Sequence, residues 1–162
     1  MSLQSQTSTT PDWRLRPASP ADRDFLQRLH ELSYRPHVER VWGWDDAQQL
    51  EFFERRFRPE QLQIVESGAE RVGVLEVADE EDALFLADVE IAPEWQGNGI
   101  GSAIVRSLQE QARLAKRPLD LQVLHVNDRA RSLYERLGFE ETGRDEIRAR
   151  MRWVPRAVLP AS

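Results

Sequence analysis

The segment Val89-Glu90-Ile91-Ala92-Pro93-Glu94-Trp95-Gln96-Gly97-Asn98-Gly99-Ile100-Gly101 joins two different periodicities. Ala83 to Ile91, before it, reads as a strand, and Gly99 to Ala115, after it, carries Ile104, Leu108 and Ala112 at helical spacing. A glycine-rich strand-to-helix turn can hold pyrophosphate, because backbone N–H groups converge there at the positive end of the helix dipole. Backbone approaches an anion closely only where side chains are absent, which Gly97, Gly99 and Gly101 provide. Gln96 can add a side-chain donor, and Ser102 can cap the helix or touch a phosphate. A triphosphatase loop would end in Gly-Lys-Ser/Thr, but no lysine lies beside Gly101-Ser102. The dinucleotide fingerprint would need a third glycine where Ser102 stands, and it usually opens a domain rather than falling past mid-chain. On the loop alone, a tight turn without ligand remains open.

Outward from this loop the chain reads as one α/β domain. Trp13-Arg14-Leu15-Arg16 alternates as a first strand. Ser19-Pro20-Ala21-Asp22 has the chemistry of a helix start, followed by Phe25, Leu29 and Leu32. Tyr34 to Trp44 reads as an irregular connection. Asp45 can cap a second helix with Leu50, Phe53 and Phe57 on its apolar face. Two strands follow at Leu62–Val65 and Val72–Val77, turned by Ser67-Gly68-Ala69-Glu70, and the acidic turn Asp79-Glu80-Glu81-Asp82 precedes the strand Ala83–Ile91. After the central helix, Leu119, Leu121 and Val123 alternate, then a short helix with Ala130, Leu133 and Leu137 inward stops at Gly138. Phe139 to Val154 reads as a final strand pair. The order βααβββαβαββ predicts a mixed α+β domain over residues 11–155 with a central mixed sheet, between tails at 1–10 and 156–162.

Composition removes several functions. The net charge of −6, from 28 acidic and 22 basic residues, is the opposite of a nucleic-acid binder's balance. It suits solubility and is compatible with a cationic acceptor. There is no cysteine, so disulfides, thiolate metal sites and a cysteine nucleophile are absent. His30, His37 and His125 lack metal-ligand spacing. No apolar run approaches the roughly 20 residues of a membrane span, and Met1 to Thr10 lack a signal peptide's basic start and apolar stretch. The expectation is a cytoplasmic protein, monomer or homodimer, without metal, nucleic-acid or membrane partners.

The glycine loop has company. Gln96-Gly97-Asn98-Gly99-Ile100-Gly101 resembles the Gln/Arg-x-x-Gly-x-Gly/Ala loop of the GCN5-related N-acetyltransferase superfamily, and Ile91-Ala92-Pro93-Glu94-Trp95 is similar to its lead-in. Leu121-Gln122-Val123-Leu124-His125-Val126-Asn127, with Ala130 and Leu133-Tyr134-Glu135-Arg136-Leu137-Gly138-Phe139, resembles its second signature in the expected order and spacing. The resemblance covers roughly residues 13–153. It implies acetyl-CoA as acetyl donor, without metal, and an amine-bearing acceptor. It also implies a sheet whose parallel strands Ala83–Ile91 and Leu119–Val126 splay to admit the pantetheine arm. Cofactor contacts carried over in this way are Ile91, Ala92, Gln96, Gly97, Asn98, Gly99, Ile100, Gly101, Ser102 and Asn127.

The same resemblance implies that Tyr134 lies near the cofactor sulfur and assists thiolate departure; periodicity alone would make it a packing residue beside Leu133 and Leu137. Asp88 and Glu90, two apart on one strand, share a face if no bulge intervenes. Glu90 is nearer the implied thioester and is the candidate base, with a solvated carboxylate and a water relay as alternatives. Some relatives place a glutamate twelve positions before the tyrosine; here that residue is Gln122, which cannot accept the proton. Trp42 and Trp44, beside Asp45 and Asp46, read either as a cation-binding pair or as core. Two functions stay open: an N-acetyltransferase acting on a small amine, amino acid, antibiotic amine or peptide N-terminus, or a silent acyl-CoA-binding module of the same fold.

Overall fold

The computed structural model describes residues 10–156, so apart from Thr10 and Arg156 the expected tails lie outside the described residues. The elements are β1 (Arg14–Pro17), α1 (Arg23–Val41), α2 (Asp46–Arg56), β2 (Gln63–Ser67), β3 (Glu70–Asp79), β4 (Leu84–Ile91), α3 (Ile100–Ala115), β5 (Leu119–Leu124), α4 (Asp128–Arg136), β6 (Glu140–Arg144) and β7 (Arg148–Trp153). Single 3-10 turns at Pro20–Asp22, Pro59–Gln61 and Pro93–Trp95 each begin with a proline, whose fixed φ suits a first helical position. The expected order and mixed α/β class hold.

One sheet runs β1-β2-β3-β4-β5-β7-β6. Every neighbouring pair is antiparallel except β4 with β5, which are parallel and pair only at Leu84↔Leu119, Phe85↔Asp120 and Leu86↔Leu121. Beyond Leu86, β4 continues to Ile91 and β5 to Leu124 without pairing, which opens the expected splay. The register against β3 steps from Glu76↔Asp88 to Val77↔Leu86, so Ala87 is an extra residue in β4. A bulge bends its strand and sharpens its twist, and this one stands where β4 parts from β5.

Two apolar layers cover the sheet. On one face Ile104, Val105, Leu108 and Ala112 of α3 pack with Leu75, Leu86, Leu121, Val123 and Met151. On the other, Leu26 and Leu29 of α1 pack with Ile64, Val74 and Ala92. The start of α1 is stapled by Asp22, 2% exposed, which takes both guanidinium nitrogens of Arg16 at 2.9 Å, Arg71 at 3.2 Å and the Ser19 N–H at 2.9 Å. The Arg16 hydrogen bonds, helped by those of Ser19 and Arg71, hold its carboxyl well below the usual carboxylate range. No helix among the described residues is long and apolar enough to cross a membrane.

The connection expected at Tyr34 to Trp44 is instead helical as far as Val41, with Pro36 inside α1. Proline removes one i→i−4 bond, and helices usually stop before it. Here Tyr34 is bonded to β4 and Val38 is buried beyond the proline, which favours the helix continuing past it. The inward face also differs from expectation. Leu32 is 51% and Leu50 41% exposed, and α2 buries no residue fully. Phe53 and Phe57, half-buried, stack on each other at 5.5 Å and pack against the α1 layer.

Candidate active site

The glycine loop closes the open end of the splay. Gly97 and Gly99 adopt φ of +81° and +91°, a left-handed region that disfavours other residues, and Gly99 is the N-cap of α3. No N-cap side chain covers this helix end, so the first-turn N–H groups of Ile100, Gly101 and Ser102 have no partner within the helix. Gly101 has nothing within 4 Å of the position a Cβ would take. The Asn98 Oδ1 is buried without a hydrogen-bond partner. Ile100 is 1% exposed and anchors the loop in the core. The first-turn N–H groups and the open space at Gly101 make this helix start a donor set, a cradle of the kind that holds an anion.

Gln96 holds the loop together. Its Nε2 donates to the Ile91 carbonyl at 2.8 Å, and its Oε1 accepts from Arg129 at 3.0 Å. The Arg129 guanidinium also lies 3.9 Å from where a Gly97 Cβ would be, which places a cation at the cradle. Sequence reasoning missed Arg129; its position in the first turn of a polar helix looks like an ordinary solvated charge. Ala92 has both backbone groups engaged, its N–H with Val72 at 2.8 Å and its C=O with Trp95 at 2.8 Å. Asn127 caps α4, accepting from the Ala130 N–H at 3.1 Å.

Inside the splay, Asp88 and Glu90 do share a face of β4, because the bulge falls before them. That face meets α1. The Tyr34 hydroxyl donates to Asp88 at 2.9 Å, and the His30 Nδ1 lies 3.4 Å from the Glu90 Oε1. His30 and Tyr34 stack with centroids 4.6 Å apart. Glu90 is 6% exposed, and burial pushes its carboxyl up to about 8. Burial, with the Glu90 charge beside it, also raises Asp88 well above the ordinary range. Burial lowers His30, with Arg56 adding to the effect and Asp88 opposing it.

The signal for this cluster was present in the sequence. His30, Ser33, Tyr34 and His37 fall at i, i+3, i+4 and i+7 of α1, a spacing that would be apolar in a purely structural helix. The Ser33 Oγ and His37 Nδ1 are buried without partners. Reading Tyr34 onward as irregular had broken the stripe in two.

Tyr134, on α4, is 7% exposed and packs edge-on against Phe139 with centroids 5.6 Å apart. Burial, with the charge of Asp88 adding to it, raises its phenol above the ordinary value, so it stays protonated at neutral pH. Gln122 is exposed on β5. Neither tryptophan of the α1–α2 connection is core. Trp42 is 55% exposed, and the ring of Trp44 carries the Arg35 guanidinium at 5.4 Å, while its Nε1 donates to Asp46 at 2.7 Å.

Comparison with known proteins bears on this arrangement. The sequence profile of the acetyltransferase (GNAT) family matches residues 24–139. A bovine (Bos taurus) thialysine N-epsilon-acetyltransferase is 42% identical over 60 residues; the match takes in 36% of this chain and only 35% of that relative's length. The fold superposes on the PaiA N-acetyltransferase of Thermoplasma acidophilum in complex with coenzyme A, with a TM-score of 0.73 at 14% identity, covering 88% of this chain and 99% of that one. It also superposes on the spermidine N-acetyltransferase of Vibrio cholerae in complex with CoA and spermine, with a TM-score of 0.62 at 21% identity, covering 88% and 95%.

Proposed function

Since the chain belongs to the acetyltransferase (GNAT) family, we propose that it moves an acetyl group from acetyl-CoA to the primary amine of a small cationic acceptor, by direct attack of the amine on the thioester. The observation that supports this reading is that two carboxyls, both raised by burial, stand on β4 just past its last pairing with β5, with a buried phenol near one of them. β4 and β5 part after Leu86↔Leu121, Asp88 and Glu90 follow on β4, and the charge of Asp88 acts on Tyr134.

The cradle of first-turn N–H groups, with Arg129 beside it, binds the phosphates and directs the pantetheine arm into the splay. Acetyl-CoA supplies an activated acyl group as a thioester. Glu90 takes a proton from the acceptor's ammonium and frees the nitrogen lone pair for attack on the carbonyl carbon. With the carboxyl pushed up to about 8, only the ionised fraction of Glu90 takes the proton at pH 7, and that fraction grows as pH rises toward 8. Tyr134 then gives its phenolic proton to the sulfur as the carbon–sulfur bond breaks. Splitting acid and base between two groups, both moved by burial, is how one site carries out both proton transfers.

A cationic acceptor is supported by the carboxyls of Asp88 and Glu90, whose ionised forms a bound cation would favour, and by Glu76, which lies opposite Asp88 on β3. Two of the similar proteins act by name on thialysine and on spermidine, both cationic amines, while another acts on an alanine of ribosomal protein S18. The test is thiol release from acetyl-CoA with spermidine, lysine, an aminoglycoside and an alanine-initiated peptide. Release that depends on one of these amines is the expected result. Coenzyme A binding with no release from any of them would make the chain a silent acyl-CoA-binding module.

A further inference from the structure

The proposed base is almost sealed from solvent: the Glu90 side chain is 4% exposed. Each turnover would leave a proton on it, and a buried carboxyl that cannot shed that proton works once. Among the described residues, its only polar side-chain contact is His30, whose Nδ1 stands 3.4 Å from Oε1 and whose side chain is 25% exposed. His30 therefore touches both the base and water. We propose that His30 is the positioning and proton-exchanging residue through which Glu90 returns its proton to solvent, a role that rests on Glu90 acting as the base.

The surroundings fit this role. The ring is held by the stack on Tyr34, at 4.6 Å and 29°, and by Phe53 of α2 at 6.2 Å. The Tyr34 hydroxyl is committed to Asp88, so the two aromatic residues of α1, one turn apart, divide the two carboxyls of β4 between them. The titratable and charged groups facing the pair are Asp88 of β4, Arg56 of α2, Tyr34 of α1, Glu76 of β3 opposite Asp88, and Tyr134 of α4 across from Asp88. Burial and Arg56, opposed by Asp88, lower the imidazole's pKa, and in the tautomer protonated at Nε2 its Nδ1 has a lone pair to offer. The transfer is balanced. The acceptor's ammonium loses one proton to Glu90, Glu90 passes one to the His30 Nδ1, and the imidazolium gives one to water. Apart from the bonds to these protons, no bond is made or broken in the relay.

Two measurements test it. In protein labelled with 15N-histidine, the His30 ring shifts are followed from pH 5 to pH 10, assigned by their loss in His30→Gln. The wild-type curve should carry a second inflection from Glu90 that disappears in Glu90→Gln; superimposable curves would overturn the coupling. This arm needs no acceptor and decides by itself whether the two groups titrate as a coupled pair. With an accepted amine from the panel, His30→Ala should lower kcat at least about tenfold, leave KM within about twofold, and recover with added imidazole. His30→Asn, which keeps a polar group there, serves if the alanine variant melts early. If Glu90→Gln loses turnover while both His30 variants keep kcat within about twofold, the outlet is refuted and the base stands. If Glu90→Gln also keeps its kcat, the base assignment itself has failed.

Discussion

Replacing Glu90 by glutamine keeps the shape of the side chain and removes its charge, and the structure fixes both the sign and the size of the result. Burial pushes the carboxyl from an ordinary 4.5 up to about 8 in the folded chain. A carboxyl whose folded pKa lies above its unfolded value contributes fully to stability below the unfolded pKa. That contribution is lost as pH climbs through the folded one. Each pKa unit corresponds to about 1.36 kcal/mol. At pH 5 the unfolded carboxyl is only partly favoured by ionisation, and wild type and Glu90→Gln should differ by less than about 1 kcal/mol. At pH 7 the unfolded carboxyl is ionised and the folded one is not, so the variant should be more stable by about 3 kcal/mol. At pH 9 and above, the full distance from 4.5 to 8 gives about 5 kcal/mol. Asp88 acts in the same direction, because the Glu90 charge raises it. Urea unfolding of both proteins at the three pH values measures the gap. A gap that does not grow between pH 5 and pH 9 would refute the reasoning, since it would mean that Glu90 is solvated and unshifted. The gain should be accompanied by lost turnover, the usual exchange at a site kept in a strained electrostatic state.

Three further outcomes are expected. Gly99→Asp forces a side chain into φ +91°, with its Cβ 2.7 Å from the Thr10 hydroxyl, and adds a negative charge at the cradle, so coenzyme A affinity should fall at least about tenfold while circular dichroism stays native; unchanged affinity by calorimetry would place the phosphates elsewhere. Tyr134→Phe preserves the packing against Phe139 and removes the acid, so kcat should drop about 100-fold with acetyl-CoA affinity intact, whereas a kcat within about twofold of wild type would leave Tyr134 only a packing role. Asp22→Ala leaves Arg16 and Arg71 without their shared partner. Because both arginines are partly exposed, the loss at pH 7 should be about 2 kcal/mol rather than the larger cost of a fully buried pair. Since the Asp22 carboxyl is depressed in the fold, its contribution is present in full above the unfolded carboxyl range and should shrink as pH falls below that range; a gap as large at pH 2 as at pH 7 would argue against the ion pair.

The amino-acid sequence by itself determined what depends on near neighbours along the chain. The order of elements followed from periodicity, the glycine turn into α3 from the spacing of Gly97, Gly99 and Gly101, and the caps at Asp45 and Asn127 from oxygen-bearing side chains placed just before helical runs. It also put Asp88 and Glu90 on one face, since alternation needs only the pleat. What it could not decide was which groups meet across the sheet. Pro36 argued for a break in α1, and only in the fold do the burial of Val38 and the bond of Tyr34 to Asp88 favour the helix continuing past it. Without that continuity the polar stripe His30, Ser33, Tyr34 and His37 has no meaning. Gln96 is read from its motif as a ligand donor, yet the fold uses both ends of its amide to tie Ile91 to Arg129. The bulge at Ala87 opens the splay beside these residues, and no local propensity announces it. Burial raises the Glu90 carboxyl to about 8, and that burial is the work of α1, joined to β4 by a distance in sequence that no local pattern spans.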